Sequence, residues 1–323
     1  MTLQPSSLKR GNSTIISARL TDGNNVTLTG KEIGFYVGAT SIGTAMTDYS
    51  GTAVKKYTAS FDAGTYVIMA YYNGSTEYGS SIVSGKLIVW PLNVTLVVDA
   101  PPVKVGTEAT VATILKDENG APVPGETTDF YLFGYNAWSK IGSSTTNSLG
   151  QTSITRTFYV AGDYRIKMVY AGSTNYNEFN ATATLTINKF TTTLTIDVPD
   201  AMQRKECVLR STLKDESDHP MQDADVDFYV YESDNWKRIG TAKTDSNGVA
   251  SLNYTQSDFG TFQVKAVFNG ATNYAQSTSS VANLNVAIDF TPYYINGGTI
   301  AVAIIGVAGY LVFRRRRKAT PQE

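Results

Sequence analysis

Two tryptophans, Trp138 and Trp236, each stand just ahead of an Ile-Gly pair, Ile141-Gly142 and Ile239-Gly240, with Tyr135 and Tyr231 nearby. Aromatic rings at a strand edge can stack on the apolar face of a sugar, so these four residues are the candidate ligand platform. Packing against cross-strand neighbours is the other use of such rings, and it is the preferred reading. A second chemistry is offered by Asp117-Glu118-Asn119-Gly120, Asp215-Glu216-Ser217-Asp218 and Asp245-Ser246-Asn247-Gly248, where oxygen donors crowd into turns. Calcium takes about six to eight oxygens, more than any one of these clusters brings. Asp and Asn are also what turns need for backbone reasons. No cofactor is expected, and calcium in these turns is the one metal to consider.

Catalytic constellations are missing from the sequence. The single histidine, His219, lies beside Pro220 in an expected loop, which rules out an HExxH zinc site. One cysteine, Cys207, excludes both a disulfide within the chain and a cysteine metal cluster. No nucleophile elbow, phosphate-binding loop or dinucleotide loop occurs, so the chain is expected not to be an enzyme. The 27 basic and 28 acidic residues nearly balance, but five basic and one acidic lie at 314–323, leaving a body of about −5. Such a body has no basic face for nucleic acid. Six sequons, at Asn12, Asn25, Asn73, Asn93, Asn180 and Asn253, are candidate glycosylation positions.

The elements that would position these residues repeat. VYAGSTNY (Val169 to Tyr176) returns as YYNGSTEY (Tyr71 to Tyr78) and VFNGATNY (Val267 to Tyr274). Phe35-Tyr36, Phe130-Tyr131 and Phe228-Tyr229 align, as do TDYSG, TNSLG and TDSNG. The second and third copies keep an offset of 98, and the first is shorter in one middle loop. Within a copy the period is two, the mark of a half-buried strand. Tyr164, Ile166, Met168 and Tyr170 share one face and Arg165 and Lys167 the other. Cys207, Leu209, Ser211 and Leu213 form another inward set, which predicts Cys207 in a core. Asn119-Gly120 and Asn247-Gly248 mark turns, and Pro122, Pro124 and Pro220 fall between strands. These signals predict antiparallel β-sandwiches of about seven strands in units of about 100 residues. The repeated phrase would close a core strand, turn at its glycine, and tuck its last tyrosine back as a plug.

The pattern G-A-P-V-P-G (Gly120 to Gly125), F-Y, I-G, T-x-x-x-G, G-x-Y and Y-A-G-S-T-N-Y resembles bacterial and archaeal Ig-like repeat domains. The resemblance implies an all-β chain of three tandem Ig-like sandwiches, at 1–91, 92–188 and 189–288, of the kind common in prokaryotic surface proteins. A bridging cysteine pair of the antibody type has no counterpart, since Ile68, Ile166 and Val264 stand there.

A juxtamembrane linker is expected at 289–294 and one transmembrane helix at 295–313, a run of nineteen residues without charge. Tyr293 and Tyr294 would flank it at the interface, and Arg314, Arg315, Arg316, Arg317 and Lys318 would hold the 314–323 tail in the cytoplasm. The expected protein is a single-pass cell-membrane protein with extracellular β domains. Met1 aligns with Leu96, inside the first strand of the second copy, so an export signal and further repeats are expected upstream. Its expected role is a non-catalytic stalk. Alternatives are an adhesin taking a surface glycan or protein, and an appendage of a surface enzyme encoded upstream.

Overall fold

The computed structural model describes residues 1–4 and 6–289. All elements there are β-strands, paired into six sheets that form three successive sheet pairs. The fold divides into two compact units, residues 1–189 and the residues from Phe190 on. The first unit holds two sheet pairs. The transmembrane segment, Tyr293, Tyr294 and the 314–318 cations lie outside the described residues, among which no helix is long and apolar enough to cross a membrane.

Each pair combines a three-stranded sheet with a larger one. In the second pair the smaller sheet sets Glu108–Asp117 between Gln151–Thr157 and Val94–Asp99. The larger one runs in the order Val103–Lys104, Phe179–Asn188, Gly162–Tyr170, Thr127–Gly134, Ala137–Thr145. Pairing is antiparallel except at the two-residue edge strand, where Val103 and Lys104 run parallel to Ile187 and Asn188. The third pair repeats this with Thr192–Asp197, Glu206–Asp215 and Val249–Thr255 on one side. Ala201–Met202, Ala282–Ala287, Gly260–Phe268, Asp225–Glu232 and Asn235–Lys243 stand on the other, with a short strand, Ser277–Thr278, added beside Gly260–Phe268. In the first pair the leading edge strand, Thr2–Leu3, matches only two positions of Ser13–Arg19, whereas Val94–Asp99 matches six of its neighbour.

The period-two reading holds in the core. Ile166, Met168 and Tyr170 are buried, as are Ile68, Ala70 and Tyr72 in the first pair and Val264, Ala266 and Phe268 in the third. Cys207 corrects one expectation. It is half-buried, packed at the margin of the third core, because its strand enters the sandwich fully only at Leu209. Burial pushes its thiol pKa up, which leaves a weak nucleophile.

The Ile-Gly landmark is a β-bulge. Phe130 faces Gly142 and Tyr131 faces Lys140, so Ile141 is the extra residue. Ile239 in the third pair and Ile42 in the first occupy the same irregularity. A bulge re-aims the side chains beyond it. Here it lets Ile42 and Ile239 pack on their cores while the hairpin tip keeps its register.

Candidate functional site

In each expected calcium turn one aspartate oxygen accepts backbone N–H groups of the turn itself. Asp117 Oδ1 accepts the Asn119 and Ala121 N–H groups, both at 2.9 Å. Asp215 Oδ1 accepts Ser217 and His219 at 2.9 Å, and Asp245 Oδ1 accepts Asn247 at 2.8 Å and Val249 at 2.9 Å. This is the Asx turn, an aspartate standing in for a backbone carbonyl. The His219 N–H, followed by the other turn contacts, holds the Asp215 carboxyl below its usual range against the opposing effect of desolvation. Among the described residues no three His, Cys, Asp or Glu groups converge on a common point.

The aromatic candidates lie on the outer face of the larger sheets. Trp138 faces Phe133 directly across the hairpin, their rings 5.2 Å apart and edge-on. Trp236 faces Tyr231 in the same way at 5.3 Å. Cations from Gly162–Tyr170 and Gly260–Phe268, each one strand removed from the tryptophan's own, cover the indoles. Lys167 Nζ lies 4.8 Å from the Trp138 ring centre and Arg165 Cζ 5.5 Å from it, and Lys265 Nζ stands 4.2 Å from that of Trp236. Such contacts use the face a sugar would stack on. The two tyrosines are not equivalent. Tyr231 occupies the position of Phe133, whereas Tyr135 sits at the hairpin tip with φ 50°, its side chain fully in solvent.

Beside each indole lies an ion pair. Asp129 Oδ1 is 2.8 Å from Lys140 Nζ, and Asp227 Oδ1 is 2.7 Å from Arg238. The Lys140 contact keeps the Asp129 carboxyl below its ordinary value. At Asp227 burial acts to raise the pKa, but contacts from Thr241, Arg238 and Asn269 outweigh it and the net shift is downward. All six sequon asparagines are exposed. Tyr170 and Tyr254, by contrast, are pushed up to about 12, chiefly by burial.

The repeated phrase builds a joint. Gly172, at φ +83°, turns the chain so that the Ser173 N–H reaches Tyr176 O at 2.9 Å. A Cβ on it would come within 2.9 Å of the Glu178 nitrogen, so glycine is required. The residues after the turn then hold the segment entering the second sheet pair: Leu92 N donates to Asn175 O and Asn177 N to Leu92 O, each at 2.9 Å. Phe190 is held identically in the second unit, by Asn273 O at 2.9 Å and the Ala275 N–H at 2.8 Å. Tyr176 and Tyr274 are half-buried, and Tyr274 tilts against Phe190 at 5.7 Å, close to the expected plug.

Within residues 1–189 side chains complete this joint. Asn175 Nδ2 donates to Asp62 Oδ1 at 2.8 Å while its Oδ1 accepts the Ala63 N–H at 2.9 Å. Lys9 Nζ donates to Glu118 Oε2 at 2.5 Å, and Asn177 Nδ2 donates to Asn93 Oδ1 at 2.8 Å. Sequence reasoning missed this clasp because its partners are up to 113 residues apart. The first copy has Gly23 and Glu77 where the second has Glu118 and Asn175, and that divergence was the one available signal.

The Lys9 hydrogen bond is the main cause that lowers Glu118 from its ordinary 4.5. A carboxylate with a depressed folded-state pKa contributes fully above the unfolded value and loses that contribution as pH falls through the folded one. The melting temperature of residues 1–189 should therefore be flat from about pH 7 to about pH 5 and fall on further acidification, with a shallower fall in Glu118→Gln. Coincident acid limbs in calorimetry would remove the ion pair from the clasp.

Paired sheets with a parallel edge strand and bulged hairpins define Ig-like β-sandwiches. Residues 194–287 match the model of the bacterial Ig-like domain (group 3). The chain is similar to invasin, a bacterial integrin-binding protein, at 16% identity over 89% of this chain and 60% of invasin, with a TM-score of 0.42. It thus spans less than two thirds of invasin. It is similar to the tetra-tandem repeat in the extending region of a large adhesion protein, at 15% identity over 86% of this chain and 73% of that one, TM-score 0.36. For FdeC, an Escherichia coli adhesin, the values are 20%, 88%, 95% and 0.28.

Proposed function

We propose that this chain is a non-catalytic spacer of the cell surface, anchored in the membrane by residues 295–313 with its β modules outside. The observation that carries this reading is the clasp. Leu92 is hydrogen-bonded on both sides by residues of the next sheet pair, and Asn175, Lys9 and Glu118 cross the joint with side chains. A joint with its linker built into a ladder has little freedom to bend, which is what a spacer needs and a flexible tether lacks. The match of residues 194–287 to the bacterial Ig-like domain and the uncharged run followed by RRRRK support the surface placement.

The test is a distance measurement on the full chain. Spin labels at Tyr49→Cys and Tyr135→Cys, with Cys207→Ser, should give one narrow distance distribution. Asn175→Ala combined with Glu118→Ala should broaden it. A broad distribution in the otherwise native chain would overturn the spacer. Protease added to intact cells carrying the exported full chain should remove the modules and spare an epitope placed after Glu323. Loss of that epitope would overturn the orientation.

A further inference from the structure

The clasp has a receiving side in the first sheet pair, built from Lys9 on the parallel edge strand and the Ala63 N–H just before Gly64–Tyr72. The same positions can be found in the third pair by register. Lys9 pairs with Trp90 and Met202 with Ala287, and Ala63 corresponds to Phe259, just before Gly260–Phe268. Where the second copy again has Lys104 and Ala161, the third has two apolar side chains. Phe259 is 59% exposed, Met202 42% and Ile288 39%. All three lie at one end of the larger sheet, because Met202 pairs with Ala287 and Gly260 with Val286. At this end large apolar side chains stand in place of Lys9 and Ala63, while Asp62 keeps an acidic counterpart in Asp258.

Its place in the chain says what covers it. The last described residue, Asp289, is held at this end by Lys205, Nζ to Oδ2 3.6 Å. Six residue steps further the uncharged run begins at Ile295. Fully extended, six steps reach at most about 20 Å. We infer that the end of the third module formed by Met202, Phe259 and Ile288 docks on the lipid surface, seating the module on the bilayer rather than leaving it on a free tether. Apolar side chains enter the headgroup boundary for the free energy of burial, and a chain already anchored meets that surface at high effective concentration. This inference rests on the membrane reading of 295–313.

The test uses the full chain in phosphatidylcholine vesicles, with Cys207→Ser and one environment-sensitive fluorophore on Met202→Cys, Phe259→Cys or Ser217→Cys. Ser217 lies in the turn at the opposite end of the Glu206–Asp215 strand. Lipids brominated high on the acyl chain should quench the labels at 202 and 259 at least about twofold and leave 217 unchanged. Phe259→Trp, read as the quenching it adds to that of Trp90, Trp138 and Trp236 in the otherwise native chain, should agree if labelling disturbs the fold. Protein retained by the vesicles with no quenching at 202 or 259 overturns the docking and leaves the membrane reading standing. Labels shielded from aqueous iodide yet untouched by brominated lipid mean that a second copy or another protein covers the face, and again overturn it. Release of the protein by carbonate overturns the membrane reading and the docking together.

Discussion

Replacing Phe228 with alanine should cost about 3–5 kcal/mol in the third module, against no more than about 0.5 kcal/mol for the solvent-exposed Tyr135→Ala. Phe228 is fully buried, at the centre of Asp225–Glu232, and its strand is paired on both sides. Around it the core is apolar: Leu209, Leu213, Val226, Val230, Val264, Ala266 and Leu284 are each fully buried. Strands locked in two ladders cannot close on the vacated volume, so transfer and cavity terms add. The second module would give a less direct reading of the same loss. Its core carries buried Thr113, Thr128 and Thr152 where the third has Ser211, Val226 and Ala250. Urea unfolding followed through amide protection in Gly260–Phe268 measures the effect in the full chain, and a loss below about 1 kcal/mol would mean the two sheets re-pack freely.

The inward sets were legible because burial in a sandwich imposes a period of two that a single sequence displays. Ile166, Met168 and Tyr170 could be assigned without a structure for that reason. The period fails where the backbone departs from the ideal strand. At Cys207 alternation continues past the point where the sandwich ends, so an inward residue is only half-covered. At Ile141 one inserted residue inverts the face of the strand beyond it, and nothing in composition announces it. The misgrouping of Tyr135 with Tyr231 has the same origin, since nearness to a tryptophan in sequence does not fix which side of a hairpin turn a residue occupies. Turn aspartates were ambiguous by chemistry. The same oxygen can serve a cation or a backbone N–H, and sequence does not show that Oδ1 of Asp117, Asp215 and Asp245 accepts backbone N–H groups at 2.8–2.9 Å. The clasp was beyond periodicity altogether, because it joins different modules through side chains that the first copy does not share.

Gly248→Ala should destabilise the third module by about 3 kcal/mol, and the reason lies in the Thr-x-x-x-Gly signature. Gly248 sits at φ +74°, donates its N–H to Asp245 O and receives the Leu213 N–H, both at 2.9 Å. A Cβ there would stand 2.5 Å from Leu213 O, 3.1 Å from Pro220 Cβ and 3.2 Å from Met221 N. The left-handed conformation alone costs a non-glycine residue roughly 1–2 kcal/mol. The clash adds to it, because the obstructing atoms are backbone and a proline ring, neither of which can swing aside. Gly150 and Gly51 repeat the geometry, with Leu115 O at 2.4 Å and Leu20 O at 2.6 Å from the added carbon. Gly125 separates the two contributions. It also has positive φ, +77°, but open space where its Cβ would go. Gly125→Ala should therefore cost its module only about 1 kcal/mol, a third of the loss at Gly248. The first residue of the signature acts by a different force: Thr244 is buried, and its Oγ1 accepts the Ala224 N–H at 2.9 Å. Thr244→Val keeps the volume and strands that N–H, so about 1–3 kcal/mol should be lost with no change in packing. Calorimetry of the full chain carrying each substitution separates the three causes, and equal losses at Gly248 and Gly125 would show that conformation, not contact, fixes the glycine.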